Sequence, residues 1–367
     1  MEIIVRKADL VKELHLVQGI VERKNSIPIL SNVLVDAQDG RLRISATDLD
    51  VSVRCGCTAQ VKAPGAITLA AKKLYEIARS LPDAEIHLKV LPDSWTTIEC
   101  ERTSFKMAGL PKEDFPALPE PTAKGGIEVP ADVLRDLIAR TSFAITGEDA
   151  RYYLTGALLL FESDGLAMVT TDGHRLSYAR RKTPLKVTEP ERLLVPRKAI
   201  HELGRLLELG EAVVFRSGEN HLLFNVGDRL LASKTIEGQF PAFEKVISFV
   251  GDKTVTLERE HLATAIRRVS LLSSERSRAI KVTLASGKLD LAASSPDIGE
   301  AKESLSTDYQ GDSVDIAFNA QYLLDFLAAA GTDSVALQLK NAESQGLLRP
   351  ATEGETDYRY IVMPMRL

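Results

Sequence analysis

The sequence is poor in the features that mark secreted, membrane-spanning and most catalytic chains. It has three cysteines, Cys55, Cys57 and Cys100, an odd count that fits no secreted disulfide framework. No apolar run approaches the roughly 20 residues that a membrane helix needs, and the opening MEIIVRKADL is no basic-then-apolar leader. The expectation is a cytoplasmic protein with reduced thiols. Cys55 and Cys57 fall two apart on an expected strand and share a face, but no second pair accompanies them, so no zinc site is expected. GxxxxGKS/T, GxGxxG after a strand, HExxH and CxxC are all missing, so no motif for a nucleotide, dinucleotide or catalytic zinc is present. No cofactor and no metal are expected. Basic residues are not in excess either: the net charge is −5, which taken alone argues against a phosphate-binding protein.

What is present is repetition. At 367 residues, 44% hydrophobic and 26% charged, the chain has room for two or three ordinary cores. Strand-into-helix patterns open at Ile3-Ile4-Val5, Ile127-Glu128-Val129 and Val255-Thr256-Leu257. Leu14, Leu137 and Ile266 correspond in the helices that follow, and Leu74, Ile200 and Leu323 in a second set. Turns recur at Asp39-Gly40, Asp164-Gly165 and Ser286-Gly287, followed by Asp48, Asp172 and Asp297. Phe-Pro-Ala closes the first two copies at Phe115 and Phe240. The period, about 124 residues, is that of a whole domain rather than a solenoid repeat. The expected class is α+β, three repeated domains of two helices and antiparallel strands each, spanning 1–121, 127–250 and 252–367. Helices are expected over 8–23, 72–80, 131–141, 197–208, 260–272 and 319–330, with first-repeat strands near 31–35, 42–46 and 51–57.

Charge is distributed unevenly over these elements. The six helices and their caps carry seventeen basic and eleven acidic residues, so they are +6 while the rest of the chain is −11. If the helices share one face, that face attracts a polyanion and the remainder repels it.

The densest polar cluster is Thr170-Thr171-Asp172-Gly173-His174-Arg175-Leu176. Asp172 and His174 invite a catalytic reading, a hydrolase or transferase. Because Asp172 recurs as Asp48 and Asp297, its expected role is to hold a turn common to the repeats, and His174 and Arg175 are then specialisations of the second copy. The end of the sequence, Tyr360-Ile361-Val362-Met363-Pro364-Met365-Arg366-Leu367, is unusually apolar. It reads either as a closing strand or as an adaptable hydrophobic surface, Met being a flexible filler and Pro364 being unable to continue a central ladder.

Taken together, TDGHRLS at 171–177, RYYLTG at 151–156, VPRKAI at 195–200, IEGQFPAF at 236–243 and VMPMRL at 362–367 resemble the bacterial DNA polymerase III beta-subunit family, the replicative sliding clamps. The resemblance covers the whole chain. It implies a head-to-tail homodimer closing a six-domain ring around duplex DNA, bound without regard to sequence. Partners would be the replicative polymerase's catalytic subunit, the clamp loader, and other polymerases and repair proteins, docking through short peptides with a Gln and a Leu/Phe end. DNA-facing residues implied by motif are Lys24, Lys72, Lys73, Arg151, Tyr152, Tyr153, Arg197 and Lys198. The peptide cleft would use Leu154, Thr171, Gly173, His174, Arg175, Leu176, Pro241, Val246, Ile361, Met363, Pro364, Met365 and Arg366. The dimer seam would bring Arg102, Phe105, Lys106 and Met107 against Leu271, Leu272, Glu300 and Glu303. A clamp paralogue with a specialised repair or drug-resistance role is the alternative. No catalytic residue is implied.

Overall fold

A computed structural model describes residues 1–21, 27–120, 125–147, 151–218 and 220–366. The helices among them are α1 (Lys7–Val17), α2 (Ala71–Ser80), α3 (Ala131–Thr141), α4 (Arg197–Leu207), the short α5 (Glu244–Ile247), α6 (Arg259–Ser270) and α7 (Ala320–Ala329). Each repeat builds its first helix directly on a strand: Glu2–Arg6 runs into α1, Ile127–Pro130 into α3 and Lys253–Glu258 into α6. The second helices α2, α4 and α7 likewise follow Gly65–Ala70, Glu191–Pro196 and Val314–Asn319. The six apolar positions that mark the period, Leu14, Leu137, Ile266, Leu74, Ile200 and Leu323, are all buried. Burying each contributes about 1.5–3 kcal/mol, which is why these positions keep an apolar residue while the surfaces diverge. In the third repeat the helix starts are capped, by the Glu258 carboxylate on the amides of Glu260 and His261 and by Asn319 on that of Gln321.

Helix α1 is shorter than the periodicity predicts. The pattern runs on to Val21, but the helix stops at Val17, where tight turns bring Gln18 N to His15 O and Ile20 N to Val17 O. Gly19 in that turn makes room for the Glu202 carboxylate of α4, since a β-carbon there would fall 2.0 Å from Glu202 Oε1. The residues from 22 to 26, and with them Lys24, lie outside the described residues.

By contact the chain forms two compact units, Met1–Asp132 with Lys198–Thr235, and Val133–Arg197 with Ile236–Leu367. In the first, one antiparallel sheet of thirteen strands crosses from second-repeat sequence into first-repeat sequence. The joint is Arg229–Lys234 on Val51–Thr58, in register from Leu230↔Arg54 to Ser233↔Val51. In the second, an eight-stranded sheet crosses from the second repeat to the third where Arg175–Lys182 pairs with Thr356–Val362, from Arg175↔Val362 to Arg181↔Thr356. A further four-stranded sheet runs Gly299–Ser306, Lys288–Ser295, Ala279–Ala285 and Val314–Asn319. The middle repeat is thus divided because its two sheets are each continued by a neighbouring repeat.

The joint of the first unit is locked by charge. Arg229 Nε lies 3.1 Å from Oε2 of the buried Glu13 on α1, and its Nη2 reaches the other oxygen. The Glu13 hydrogen bond holds the guanidinium more firmly protonated than usual. Arg41 pairs with the adjacent Asp228 at 2.7 Å. Beside this lock sit Cys55 and Cys57, which share a face of Val51–Thr58. Burial and the Glu13 charge raise the Cys55 thiol well above the usual range and push Cys57 up to about 12, so both are poor nucleophiles.

Among the strands of the described residues that leave an edge unpaired, two are eight residues long. Thr103–Leu110 pairs along one side with Trp95–Cys100 but on the other only through Gly109 and Leu110. Gly299–Ser306 pairs with Lys288–Ser295 alone. Such edges are templates for pairing with another chain.

Candidate functional site

The site in the second unit begins at the turn after strand Gly165–Thr171. Asp172 Oδ1 accepts from the amides of His174 at 2.9 Å and Arg175 at 3.0 Å. Asp48 does the same in the first repeat, for Asp50 at 2.9 Å and Val51 at 2.6 Å. This is the turn-holding role expected of the repeated aspartate. In the third repeat the equivalent turn closes through the backbone, Ile298 N to Ser295 O. Gly173 sits at φ +86°, and a β-carbon there would meet Arg151 Nη1 at 2.8 Å, so backbone conformation and crowding both demand glycine.

Arg175 is the keystone of the turn. Its Nε lies 3.0 Å from Asp172 Oδ2 and its Nη2 2.9 Å from Phe143 O, while Nη1 meets Asp325 of α7 at 2.5 Å. The guanidinium lies over the Tyr322 ring, 4.3 Å from the centroid. Burial pulls this group toward the neutral form, but Tyr360, Asp325 and Asp172 outweigh it, and the net shift is upward. With all its charge engaged, Arg175 offers a ligand a fixed wall rather than a free cation.

Against that wall opens a cavity of about 230 Å³. Nine of the thirteen expected cleft residues line it: Leu154, Thr171, Gly173, Arg175, Leu176, Pro241, Val246, Ile361 and Met363. Its floor belongs to a cluster that includes Leu158, Val169, Leu176, Tyr178, Leu194, Phe240, Phe243 and Ile361. Tyr178 stacks on Phe243, centroids 6.2 Å apart, and Phe240 meets Phe243 edge-on at 6.3 Å. Burial raises the Tyr178 phenol. His174 is exposed and contributes its carbonyl, which accepts from Met363 N at 2.9 Å. Strand Thr356–Val362 ends just before Met363, so the terminal sequence is both a strand and a surface. Beyond it Pro364, Met365 and Arg366 lie outside the cavity wall, Met365 N donating to Ala317 O at 2.8 Å.

Sequence reasoning missed Ala242 and Phe243 in the wall and Leu347 in the floor. Phe243 was visible as the last residue of IEGQFPAF, and Leu347 stands in a strand, Gly346–Pro350, paired to the last one. Arg151 and Tyr153, expected to face DNA, line this same cavity. The short turn Tyr152–Leu154 sends Tyr153 and Leu154 inward and leaves Tyr152 exposed.

The other expected DNA-facing residues divide by partner. Lys72 and Lys73 project from α2 with side chains 71% and 69% exposed, sharing Glu76. Arg197 is exposed at the start of α4. Lys198 is tied to its own chain: its ammonium lies 2.8 Å from Ile20 O and 2.5 Å from Asp48 Oδ2, a carboxylate only 8% exposed. It is an internal tie, because Asp48 buried without a cation would be costly.

Of the seam residues, Arg102 and Lys106 are exposed and Phe105 and Met107 half-buried on the open edge Thr103–Leu110. The Lys106 ammonium rests over the half-exposed ring of the single tryptophan, Trp95, at 4.9 Å. In the second unit Leu271 is 77% and Ile298 57% exposed beside the edge Gly299–Ser306, with Leu272 half-buried. Glu300 is exposed, but Glu303 is gripped by Arg268, Nε to Oε2 2.9 Å. Among the described residues no group of three His, Cys, Asp or Glu side chains is placed to hold a metal.

Comparison with known proteins gives three consecutive family matches: the DNA polymerase III beta subunit N-terminal domain over residues 1–119, its central domain over 128–242 and its C-terminal domain over 245–366. Beta sliding clamps of Pseudomonas putida and Caulobacter vibrioides are 40% and 37% identical, each aligned over the full length of both chains. The crystal structure of DNA polymerase III subunit beta from Pseudomonas aeruginosa superposes with a TM-score of 0.93 at 37% identity, covering all of both chains. A sliding clamp from Bartonella birtlesii bound to griselimycin gives 0.94 at 36%, again over both whole chains.

Proposed function

The chain belongs to the bacterial DNA polymerase III beta-subunit family, the beta sliding clamps, and from that premise we propose how its own residues perform the work of a replicative clamp. The observation that carries the proposal is the aromatic-floored cavity beside Arg175 in the second unit. A short extended peptide from a polymerase or clamp loader enters with its Leu or Phe end against Leu176, Phe243, Val246 and Ile361. The rim around Thr171, Gly173 and the His174 backbone orients its Gln. Fixed walls matter because a preorganised pocket saves the ordering cost of binding.

The three repeats act as three domains over 1–121, 127–250 and 252–367. Two copies join head to tail, the open edge Thr103–Leu110 of one adding to the open edge Gly299–Ser306 of the other, with Leu271, Leu272 and Ile298 covering the joint. Both edges are thereby satisfied, and a twofold pair of such heterologous joints closes a ring of six repeats. Exposed pairs such as Lys106 with Glu300 are worth only about 0–1 kcal/mol each, so backbone pairing and apolar burial hold the seam. DNA is retained by enclosure. Lys72, Lys73 and Arg197 supply sequence-independent attraction weak enough to permit sliding. The protein tethers catalytic partners and performs no catalysis itself, acting in the cytoplasm on the nucleoid.

The test is retention on nicked circular DNA after treatment with a clamp loader, before and after the circle is cut. Loss on cutting is expected. Equal retention on both forms would mean binding by contact, and would refute enclosure.

A further inference from the structure

The repeat that builds the peptide cavity also builds its counterpart at the other sheet joint. In the first unit Lys234 N donates to Asp50 O at 2.8 Å, as Met363 N donates to His174 O at 2.9 Å in the second. Ala232 faces Ser52 across the ladder as Ile361 faces Leu176. Thr47 Oγ1 accepts from Leu49 N at 3.0 Å as Thr171 Oγ1 accepts from Gly173 N at 3.0 Å. Phe115-Pro116-Ala117 stands where Phe240-Pro241-Ala242 stands. Between these shared parts lies a groove of about 640 Å³, lined by Leu49, Ser52, Pro116, Leu118, His221 and Ala232 among others.

The frame is shared and the lining is not. Four positions of the apolar cluster that carries the peptide cavity, Ala167, Val169, Leu176 and Tyr178, are Arg43, Ser45, Ser52 and Arg54 one period earlier, and the rim position of Met363 is Lys234. Arg41, Arg43 and Arg54 converge on a hollow of about 160 Å³ on this face. Three of the cations hold carboxylates that are themselves well exposed: Arg41 with Asp228, Arg54 with Glu120 and Lys234 with Asp50, the acids being 70%, 62% and 72% exposed. Arg43 makes no ion pair among the described residues. Exposed pairs of this kind are weak and exchangeable, and Arg54, bonded to both Glu120 oxygens at 3.0 and 2.6 Å, displays the fork geometry that an incoming carboxylate would adopt.

A second observation falls in the same groove. Leu49 occupies the position of Gly173 and keeps its left-handed backbone, φ +80°. That is a strained conformation for a bulky residue, and it leaves the side chain 45% exposed on the groove wall.

We propose that this first joint is a second docking groove, which takes an extended acidic protein segment: its carboxylates on Arg43 and Arg54, an apolar side chain on Leu49. The inference rests on reading the second-unit cavity as a peptide site, since the groove is argued as its counterpart. The test measures fluorescence polarisation of two labelled probes on the full-length dimer, an alternating Glu-Leu peptide and a Gln-containing peptide ending in Leu-Phe. The Glu-Leu peptide is expected to bind saturably, to weaken about tenfold or more with Arg43→Glu, and to ignore Met363→Ala with Met365→Ala. The Leu-Phe peptide is expected to behave the opposite way. Arg43 is exposed, so its reversal leaves the fold intact. As a second variant, Ser52→Leu with Arg54→Tyr installs the second-repeat floor and is expected to lose the acidic peptide. Absent saturable binding, indifference to Arg43→Glu, retention by the floor swap, or tighter Arg43-dependent binding of oligothymidylate would each overturn the proposal. Failure of the Leu-Phe peptide alone would instead count against the second-unit cavity.

Discussion

Replacing Arg175 by methionine, close in length but without charge, isolates what the keystone does. The change removes hydrogen bonds to Asp172, Asp325 and the Phe143 carbonyl, and the stacking over Tyr322. Taking one partner from a buried charge pair costs about 3–5 kcal/mol. The lower end applies here, because Asp172 retains the His174 and residue-175 amides and Asp325 retains Gln321 Nε2 at 2.7 Å. Both carboxylates also reach some water, being 16% and 23% exposed. Loss of the cation–π contact adds about 0.5–2 kcal/mol, for a local destabilisation of about 3.5–5 kcal/mol. A chain of this size does not unfold in two states, so a bulk melting temperature is the wrong readout. Native-state hydrogen exchange of the amides at 174, 175 and 363 reports the opening of the turn itself. Those amides are expected to lose protection by about that amount, roughly several hundredfold to several thousandfold in exchange rate, and affinity for a Leu/Phe-ended peptide is expected to fall with them. Protection unchanged to within about 1 kcal/mol would refute the keystone reading.

Other expectations are sharper in direction than in size. Met363→Ala with Met365→Ala should abolish polymerase stimulation while the dimer survives in sedimentation; a variant that stimulates normally sinks the cleft assignment. Lys72→Ala with Lys73→Ala should lower the salt slope of binding to linear DNA by about one per lost phosphate contact. Lys198→Ala should leave that slope unchanged yet cost about 1–3 kcal/mol of stability, because it strands Asp48; the reverse pattern in salt titrations and denaturant midpoints would disprove the division. Leu271→Glu should convert the dimer to monomer, read by light scattering. The buried thiols set a pH dependence. Their folded-state values lie above the ordinary thiol value, so the stability they contribute is complete below about pH 9 and is lost as pH rises toward about 12, the Cys57 value. Cys55→Ala with Cys57→Ala should therefore flatten the alkaline limb of a denaturant-midpoint profile, and an unaltered limb would argue against it.

Much of this was legible because it is written locally and three times. Helix α3 falls on 131–141 as the periodicity predicts, since its apolar positions, its Pro130 entry and its core face all agree. The aspartate turn was readable by comparing repeats, since Asp48 and Asp172 hold the same pair of amides. What could not be read depends on partners far away in sequence. Gly19 meets Glu202, Lys198 meets Asp48 and Ile20, and the Glu13–Arg229 lock spans more than half the chain. Arg151 and Tyr153 are assigned to DNA by motif alone, and the inward turn at Tyr152–Leu154 places them in the wall of a cavity. The sheet joints carry no sequence signal, because a strand paired to a neighbouring repeat looks like one paired within its own.

Those joints have a consequence for how such a chain can be dismantled or recombined. Because each repeat meets the next along a hydrogen-bonded ladder, with the middle repeat shared between two compact units, no cut in a surface loop frees a finished module. Excising the middle repeat would leave it with both Arg229–Lys234 and Arg175–Lys182 bare, and its neighbours with the matching wounds. Grafting between relatives should therefore succeed when the crossover keeps both strands of a joint from one parent, and fail when it separates them, whatever the overall identity of the two sequences.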